Sequence, residues 1–242
     1  MWIATAVAAL AIGSQPAEPL TVLVFTKTAG FRHDSIAAGV ESFRRMASER
    51  GMRVEFTEDA GAFRADVLRR FRVVVFLNTS GDVLGPAQQS AFETWFRAGR
   101  GFVGIHAASD TEYEWPWYGR MLGAYFQSHP PGVHRATVTV ERREHPIVSH
   151  LPRRFVHTDE WYDFRDNPRA RVTVLATVNN RDYPGSTMGT DHPIVWCQEF
   201  EGSRSFYSAF GHTDETFRDP RIFEMHWRAL NWVARRTPAT SR

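Results

Sequence analysis

A chain of 242 residues with 43% apolar and 23% charged side chains has an ordinary globular composition, enough for one large domain or two small ones. Its 29 basic and 27 acidic residues leave a formal charge of +2, with Lys and Arg dispersed rather than striped, which argues against a nucleic-acid partner. One cysteine, Cys197, excludes an internal disulfide and a cysteine-rich metal site; set in the strand-like run HPIVWCQEF, it is expected to be buried and inert.

The opening stretch MWIATAVAALAIGSQPAEP, residues 1–19, has the apolar run and small-residue zone of a secretory signal, without its positive start. It is too short for a transmembrane helix, so no membrane span is expected in the mature chain. Export to the periplasm or medium is the expectation, with the cytoplasm as the alternative. From Leu20 a strand–helix rhythm begins. LTVLVFT (20–26) is apolar throughout, as a strand buried on both faces should be. After the loop KTAGFRHD, a helix is predicted over 35–50, with Ile36, Val40, Phe43 and Ala47 on one stripe, Asp34 or Ser35 as its cap and Gly51 as its stop. Strands follow at 52–57 and 72–77, with a short helical piece over 65–71 between them. Pro86 opens a helix to about Ala98, and a fourth strand runs from Gly101 to His106. Four strands joined by helices imply a parallel sheet with right-handed crossovers.

The rhythm changes after Ser109. A helix is expected from about Trp117, then strand-like runs at 133–140, 155–162, 171–177, 194–200 and 203–210, some pairing antiparallel, with EGS at 201–203 as a hairpin turn. A last helix spans 220–234, capped by Asp219, with Ile222, Met225, Ala229 and Val233 as its apolar stripe. There is no internal repeat or linker, so one α/β domain over 20–236 is expected, with 237–242 as a tail. Nothing in the pattern fixes an oligomeric state.

Ligands of open parallel sheets bind beyond the carboxyl ends of the strands. That rule nominates His33 after the first strand, Asn78 after the third, His106 and Ser109 after the fourth, and His212 after the run RSFYSAFG. Three neutral imidazoles with a carboxylate would suit Zn²⁺ or another divalent first-row metal, with His33, His106 and His212 as candidate ligands. His129 follows the Trp-rich loop and is placed to reach such a site. In FVHTDEWYDF, strand alternation puts Glu160 and Tyr162 on one face and Asp159 and Trp161 on the other, and a solvated charged face is the plain reading. Most of the 8 Trp and 18 Phe are expected in the core, with a few lining a site for a flat, partly apolar ligand such as a sugar ring. The chain has no H-E-x-x-H, Walker loop, G-x-G-x-x-G or G-x-S-x-G.

Four stretches in order, GFRHDSI (30–36), GIHAAS (104–109), HTDEWYDF (157–164) and AFGHTDETFRDP (209–220), resemble the ThuA-like family, named for trehalose utilisation, over nearly all of 20–234. The resemblance implies a flavodoxin-like three-layer α/β sandwich, with a mainly parallel central sheet, similar to class I glutamine amidotransferases. It also implies His33, His106, Glu160 and His212 as the motif positions, and a link to sugar metabolism through 3-keto sugars. His106 stands at the elbow where amidotransferases carry their cysteine. Imidazole cannot form their thioester, so glutaminase activity is rejected.

An enzyme on a sugar or keto-sugar is the leading reading, giving isomerisation, epimerisation or elimination. His106 would be base or metal ligand, and Glu160 its acid/base partner. His33 and His212 would bind a metal or hold hydroxyls. Asn78 and Ser109 would contact substrate, and Trp115, Trp117 and Trp161 would stack on it. The alternative is a non-catalytic carbohydrate- or metal-binding module.

Overall fold

The computed structural model describes residues 18–236. The leader and export expectations rest on residues 1–19, which lie outside the described residues except for the exposed Glu18 and Pro19. The C-terminal tail expected over 237–242 also lies outside them.

In chain order the elements are β1 (Thr21–Phe25), α1 (Ile36–Arg50), β2 (Arg53–Thr57), α2 (Ala65–Leu68), β3 (Val73–Leu77), α3 (Pro86–Arg97), β4 (Gly101–Ile105) and α4 (Pro116–Leu122). There follow β5 (Phe126–Ser128), β6 (His134–Val140), β7 (Arg154–Asp159), β8 (Asp163–Phe164), β9 (Thr173–Val178), β10 (Pro193–Phe200), β11 (Ser203–Ser208), α5 (Asp214–Arg218) and α6 (Pro220–Val233). A nine-stranded sheet has the order β2-β1-β3-β4-β11-β10-β9-β6-β7. The first five of these run parallel, and the last four extend the sheet antiparallel from β11.

Sequence accounts for most of this. Every residue of β3 and β4 is buried, as expected of strands covered on both faces. Their alternation assigns each face a partner. Phe102 packs on Phe92 of α3 and Tyr118 of α4, while a Cβ added at Gly101 would lie 2.7 Å from Val233 of α6. The sheet is thus sandwiched, with α2, α3 and α4 on one side and α1, α5 and α6 on the other. Pro86 opens α3, and Asp219 caps α6 by accepting from the Arg221 N–H. Glu201 (φ 45) and Gly202 (φ 79) form the two-residue β10–β11 hairpin, both in the left-handed region that such turns require. Cys197 is buried, and burial pushes its thiol up to about 12.

The start of α1 differs from expectation. Neither Asp34 nor Ser35 caps it; the Ser35 hydroxyl instead donates to the Gly211 carbonyl across the sheet. The run 155–162 is also shorter as a strand, because β7 ends at Asp159. Among the described residues, no helix is long and apolar enough to cross a membrane.

One core residue makes the fold acid-sensitive. His226 of α6 is 1% exposed, lies between Phe43 and Phe217, and its Nε2 has no hydrogen-bond partner. Burial lowers its pKa from 6.5 to about 4, so the fold holds it neutral while the unfolded chain takes up a proton near 6.5. Its contribution is intact above pH 6.5 and is lost as the pH falls toward 4. Between pH 7.5 and pH 5 this amounts to about 2 kcal/mol. Urea unfolding at those two pH values is expected to show a loss at least that large in the wild type, and a loss smaller by about 2 kcal/mol in His226→Leu. Equal losses in the two proteins would remove His226 as the cause.

Candidate functional site

Three of the nominated histidines leave the parallel half of the sheet at its carboxyl edge. His33 follows β1, His106 directly follows β4, and His212 follows β11. His106 adopts φ 47, the strained elbow that the sequence suggested, at a cost of about 1–2 kcal/mol for a residue with a side chain. Its neighbours have no room to relieve it. A Cβ at Gly104 would sit 2.8 Å from Leu122, and one at Gly211, already at φ 140, would sit 3.0 Å from Ile105 and 3.2 Å from the His106 Cβ.

Glu160 arrives from elsewhere. It leaves β7, the strand at the far edge of the sheet, yet its Oε2 lies 3.4 Å from His106 Nε2 and 3.1 Å from His212 Nδ1. The antiparallel half therefore curls back over the end of β11. Asp159 holds that closure. It is fully buried, and its carboxylate accepts from the backbone N–H groups of Gly211 (2.9 Å), His212 (3.1 Å) and Glu160 (3.0 Å) and from the Thr216 hydroxyl (2.8 Å). The carboxylates of HTDEWYDF are therefore not a solvated face: Asp159, Glu160 and Asp163 are all buried.

The ring nitrogens are sorted by their partners. His106 Nδ1 lies 2.8 Å from the Ala209 carbonyl, which only accepts, so Nδ1 carries the hydrogen and Nε2 presents its lone pair. His33 Nε2 is 3.3 Å from the Tyr162 hydroxyl. That leaves His33 Nδ1, His106 Nε2 and His212 Nδ1 buried without a hydrogen-bond partner. One ligand atom from each of His33, His106, Glu160 and His212 lies within 4.8 Å of all the others. A tetrahedron with bonds of about 2.1 Å has edges of about 3.4 Å, so the two measured edges to Glu160 fit a small divalent ion. Protons compete for the same lone pairs. Glu160 raises the pKa of His212, while burial, reinforced by the neighbouring imidazoles, lowers that of His33 to about 3. Burial opposes ionisation of Glu160, but its contacts with His106 and His212 outweigh this and hold it well below the usual carboxylate range.

Above this centre lies a cavity of about 310 Å³, lined by Phe31, His33, Asp110, Phe126, His129, Glu160, Tyr162 and His212. His129 Nδ1 is 3.0 Å from Glu160 Oε1, on the side facing away from His106. Asp110 accepts from the Tyr113 hydroxyl at 2.6 Å, and burial raises its pKa. Neither Asp110 nor the aromatic pair Phe31 and Phe126 was nominated from sequence. Asp110 lies four residues beyond His106, in the turn that follows the elbow, which was the one available signal.

Six nominated residues do not line the cavity. Trp115 and Trp117 are 7% and 5% exposed, stack on each other at 5.4 Å and donate to Glu93 and Glu201. Trp161 is fully buried and donates to the His134 carbonyl. All three are core residues, and the aromatic side chains that line the cavity besides its histidines are Phe31, Phe126 and Tyr162. Asn78 donates to Ser35 Oγ and to the Gly211 carbonyl, each at 3.0 Å, which pins the His212 loop. Ser109 bonds the His106 carbonyl and the Tyr207 hydroxyl, which braces the elbow from beneath. His106 is itself fully buried and forms the floor of the centre, not the cavity wall.

Fold and site together define a flavodoxin-like α/β protein whose elbow carries histidine. The profile of the ThuA family, described as trehalose utilisation, matches residues 21–233, and the chain belongs to that family. A ThuA-like protein from Bacteroides uniformis is 27% identical, with a TM-score of 0.77 over 92% of this chain and 95% of that one. Another from Parabacteroides merdae is 20% identical, with a TM-score of 0.74 over 93% of each chain. A β-galactosidase from Bacillus circulans shares the fold, at 13% identity and a TM-score of 0.60, over 90% of this chain and 32% of the enzyme. No curated protein matches the chain.

Proposed function

We propose that this ThuA-family chain is an enzyme acting on a sugar or keto-sugar, with His33, His106, Glu160 and His212 holding a divalent ion such as Zn²⁺. One observation carries the reading: three buried imidazole nitrogens without hydrogen-bond partners converge with one carboxylate beneath a cavity. The ion, when bound, would supply Lewis acidity toward a sugar oxygen. The chain's own groups would handle the proton. A ketone acidifies the neighbouring C–H, and the carboxyls that reach the cavity are Glu160 and Asp110. Glu160 Oε1 faces His129, and Asp110, oriented by Tyr113 and less acidic than a free carboxyl, suits proton transfer nearer neutral pH. His106 does not act as the base in this reading, because the Ala209 carbonyl fixes its ring and burial keeps it from substrate. Isomerisation, epimerisation and β-elimination all begin with that proton removal.

The test is proton exchange in D₂O on 3-keto-glycosides, followed by NMR at the carbon beside the ketone. Exchange or product formation is expected with the wild type, falling by about 10²–10⁴-fold in Glu160→Gln. Binding without exchange would make the chain a carbohydrate-binding module instead. Neither binding nor exchange would end the carbohydrate reading.

A further inference from the structure

The six tyrosines of the chain differ in what their hydroxyls meet. Five donate to protein oxygens at 2.6–3.0 Å: Tyr113 to Asp110, Tyr118 to the Ala108 carbonyl, Tyr125 to the Glu112 carbonyl, Tyr183 to Asn180 and Tyr207 to the His106 carbonyl. Tyr162 has no oxygen acceptor among the described residues, although it is 3% exposed and a buried phenol ordinarily finds one. The partner its hydroxyl does have is His33 Nε2, at 3.3 Å.

His33 sets the direction of that contact. Burial keeps its ring neutral, with a single hydrogen. Nδ1 has no hydrogen-bond partner and is the nitrogen left for the centre, so the hydrogen sits on Nε2 and is donated to the phenol oxygen. The O–H of Tyr162 is therefore spare, and Tyr162 lines the same cavity as Glu160 and Asp110. Accepting from His33 also polarises the phenol into a stronger donor. The ring is held in place: it lies over His106 with centroids 4.1 Å apart and against Phe126 at 4.2 Å, and the Tyr162 carbonyl accepts from His192 Nε2 at 2.9 Å. Burial raises the hydroxyl well above its ordinary pKa, so it keeps its proton near neutral pH.

We propose that Tyr162 is a catalytic residue whose O–H donates to the carbonyl oxygen of the substrate as that oxygen becomes negative. A carboxylate of the cavity takes the proton beside the ketone, the C–H electron pair forms the C=C bond, and the carbonyl π pair moves onto oxygen to give an enolate. Tyr162 binds that oxygen without giving up its own proton, and reprotonation at carbon closes the step. A donor held ready for charge that develops in the transition state raises kcat rather than affinity. The proposal rests on the enzyme reading above and adds the protein group that meets the developing charge, alongside the Lewis acidity of an ion.

Tyr162→Phe tests it, because the variant keeps the ring over His106 and removes only the oxygen; a thermal melt checks that it is folded. In a Zn²⁺ titration by calorimetry its affinity should fall by no more than about 10–100-fold, since His33 loses only the group that orients it. With Zn²⁺ saturating, kcat for deuterium exchange beside the ketone of a 3-keto-glycoside should still fall by about 10²–10³-fold, with KM within about threefold. Recovery of wild-type kcat at saturating Zn²⁺ would make the hydroxyl a support for His33 alone and overturn the proposal. A raised KM with unchanged kcat would overturn it as well, and both results would leave the enzyme reading standing. If the wild type takes up no Zn²⁺, the same comparison of kcat decides. A wild type that exchanges no proton would overturn the enzyme reading and the role of Tyr162 together.

Discussion

Purified without an affinity tag, the protein is expected to hold one divalent ion per chain by elemental analysis, and His106→Ala and His212→Ala are each expected to lose it. The physical argument is one of desolvation. Three imidazole nitrogens and a carboxylate have been taken out of water, and the nitrogens are not hydrogen-bonded in return. A buried polar atom left unpaired costs about 1–3 kcal/mol, and three around one point are tolerated where a cation meets them together. Replacing groups that only orient ligands weakens metal affinity by about 10–100-fold, so loss of a ligand itself should exceed about 100-fold. Ion uptake should also release protons, because the ion and a proton compete for the His212 Nδ1 lone pair, whose proton affinity Glu160 raises. An empty wild type, even after incubation with Zn²⁺, Mn²⁺ and Co²⁺, would eliminate the metal centre and leave a proton-linked His/Glu cluster. Metal retained in both variants would place the ion elsewhere.

The second large effect is expected at Asp159, which does not line the cavity. Its carboxylate accepts four hydrogen bonds that tie the β7 exit to the loop carrying His212. Asp159→Ala strands those donors in a fully buried setting, and disrupting such a network costs about 3–5 kcal/mol. For a chain of this length that is a fall in Tm of about 6–20 °C, readable by calorimetry. Because the same bonds place Glu160 against His212, metal affinity should fall with stability, by about 10–100-fold at temperatures where the variant is still folded. A variant as stable as the wild type, with full metal occupancy, would show that the closure is held by other contacts.

How far the sequence reaches is clearest from particular residues. His33, His106 and His212 could be placed at one edge because they follow strands of a parallel sheet, and parallel strands with crossover helices all end on the same side. The elbow at His106 was legible because an apolar strand there runs into Gly104-Ile-His106-Ala-Ala108, the glycine and small-residue spacing of a sharp strand-to-helix turn. The three tryptophans misled, because amphipathic aromatics suit a sugar site and a core equally, and only their depth separates the two. Their indole N–H groups found Glu93, Glu201 and the His134 carbonyl, so burial left none of them unpaired. Asn78 and Ser109 were at the right edge but one layer too deep, because position at a strand end says nothing about which way a short polar side chain turns.

Local residue patterns were enough for the alternating sandwich, the elbow with histidine in place of a nucleophile and the edge at which His33, His106 and His212 gather. These follow from periodicity, chirality and steric limits, which act over a few residues at a time. That Glu160, from the far strand of the sheet, lies 3.4 Å from His106, and that Asp110, Phe31 and Phe126 wall the cavity, emerges in three dimensions alone. The Glu160 contact depends on how far the antiparallel half curls back. That curl is the sum of many strand twists together with the Asp159 closure, and no local pattern of residues encodes it.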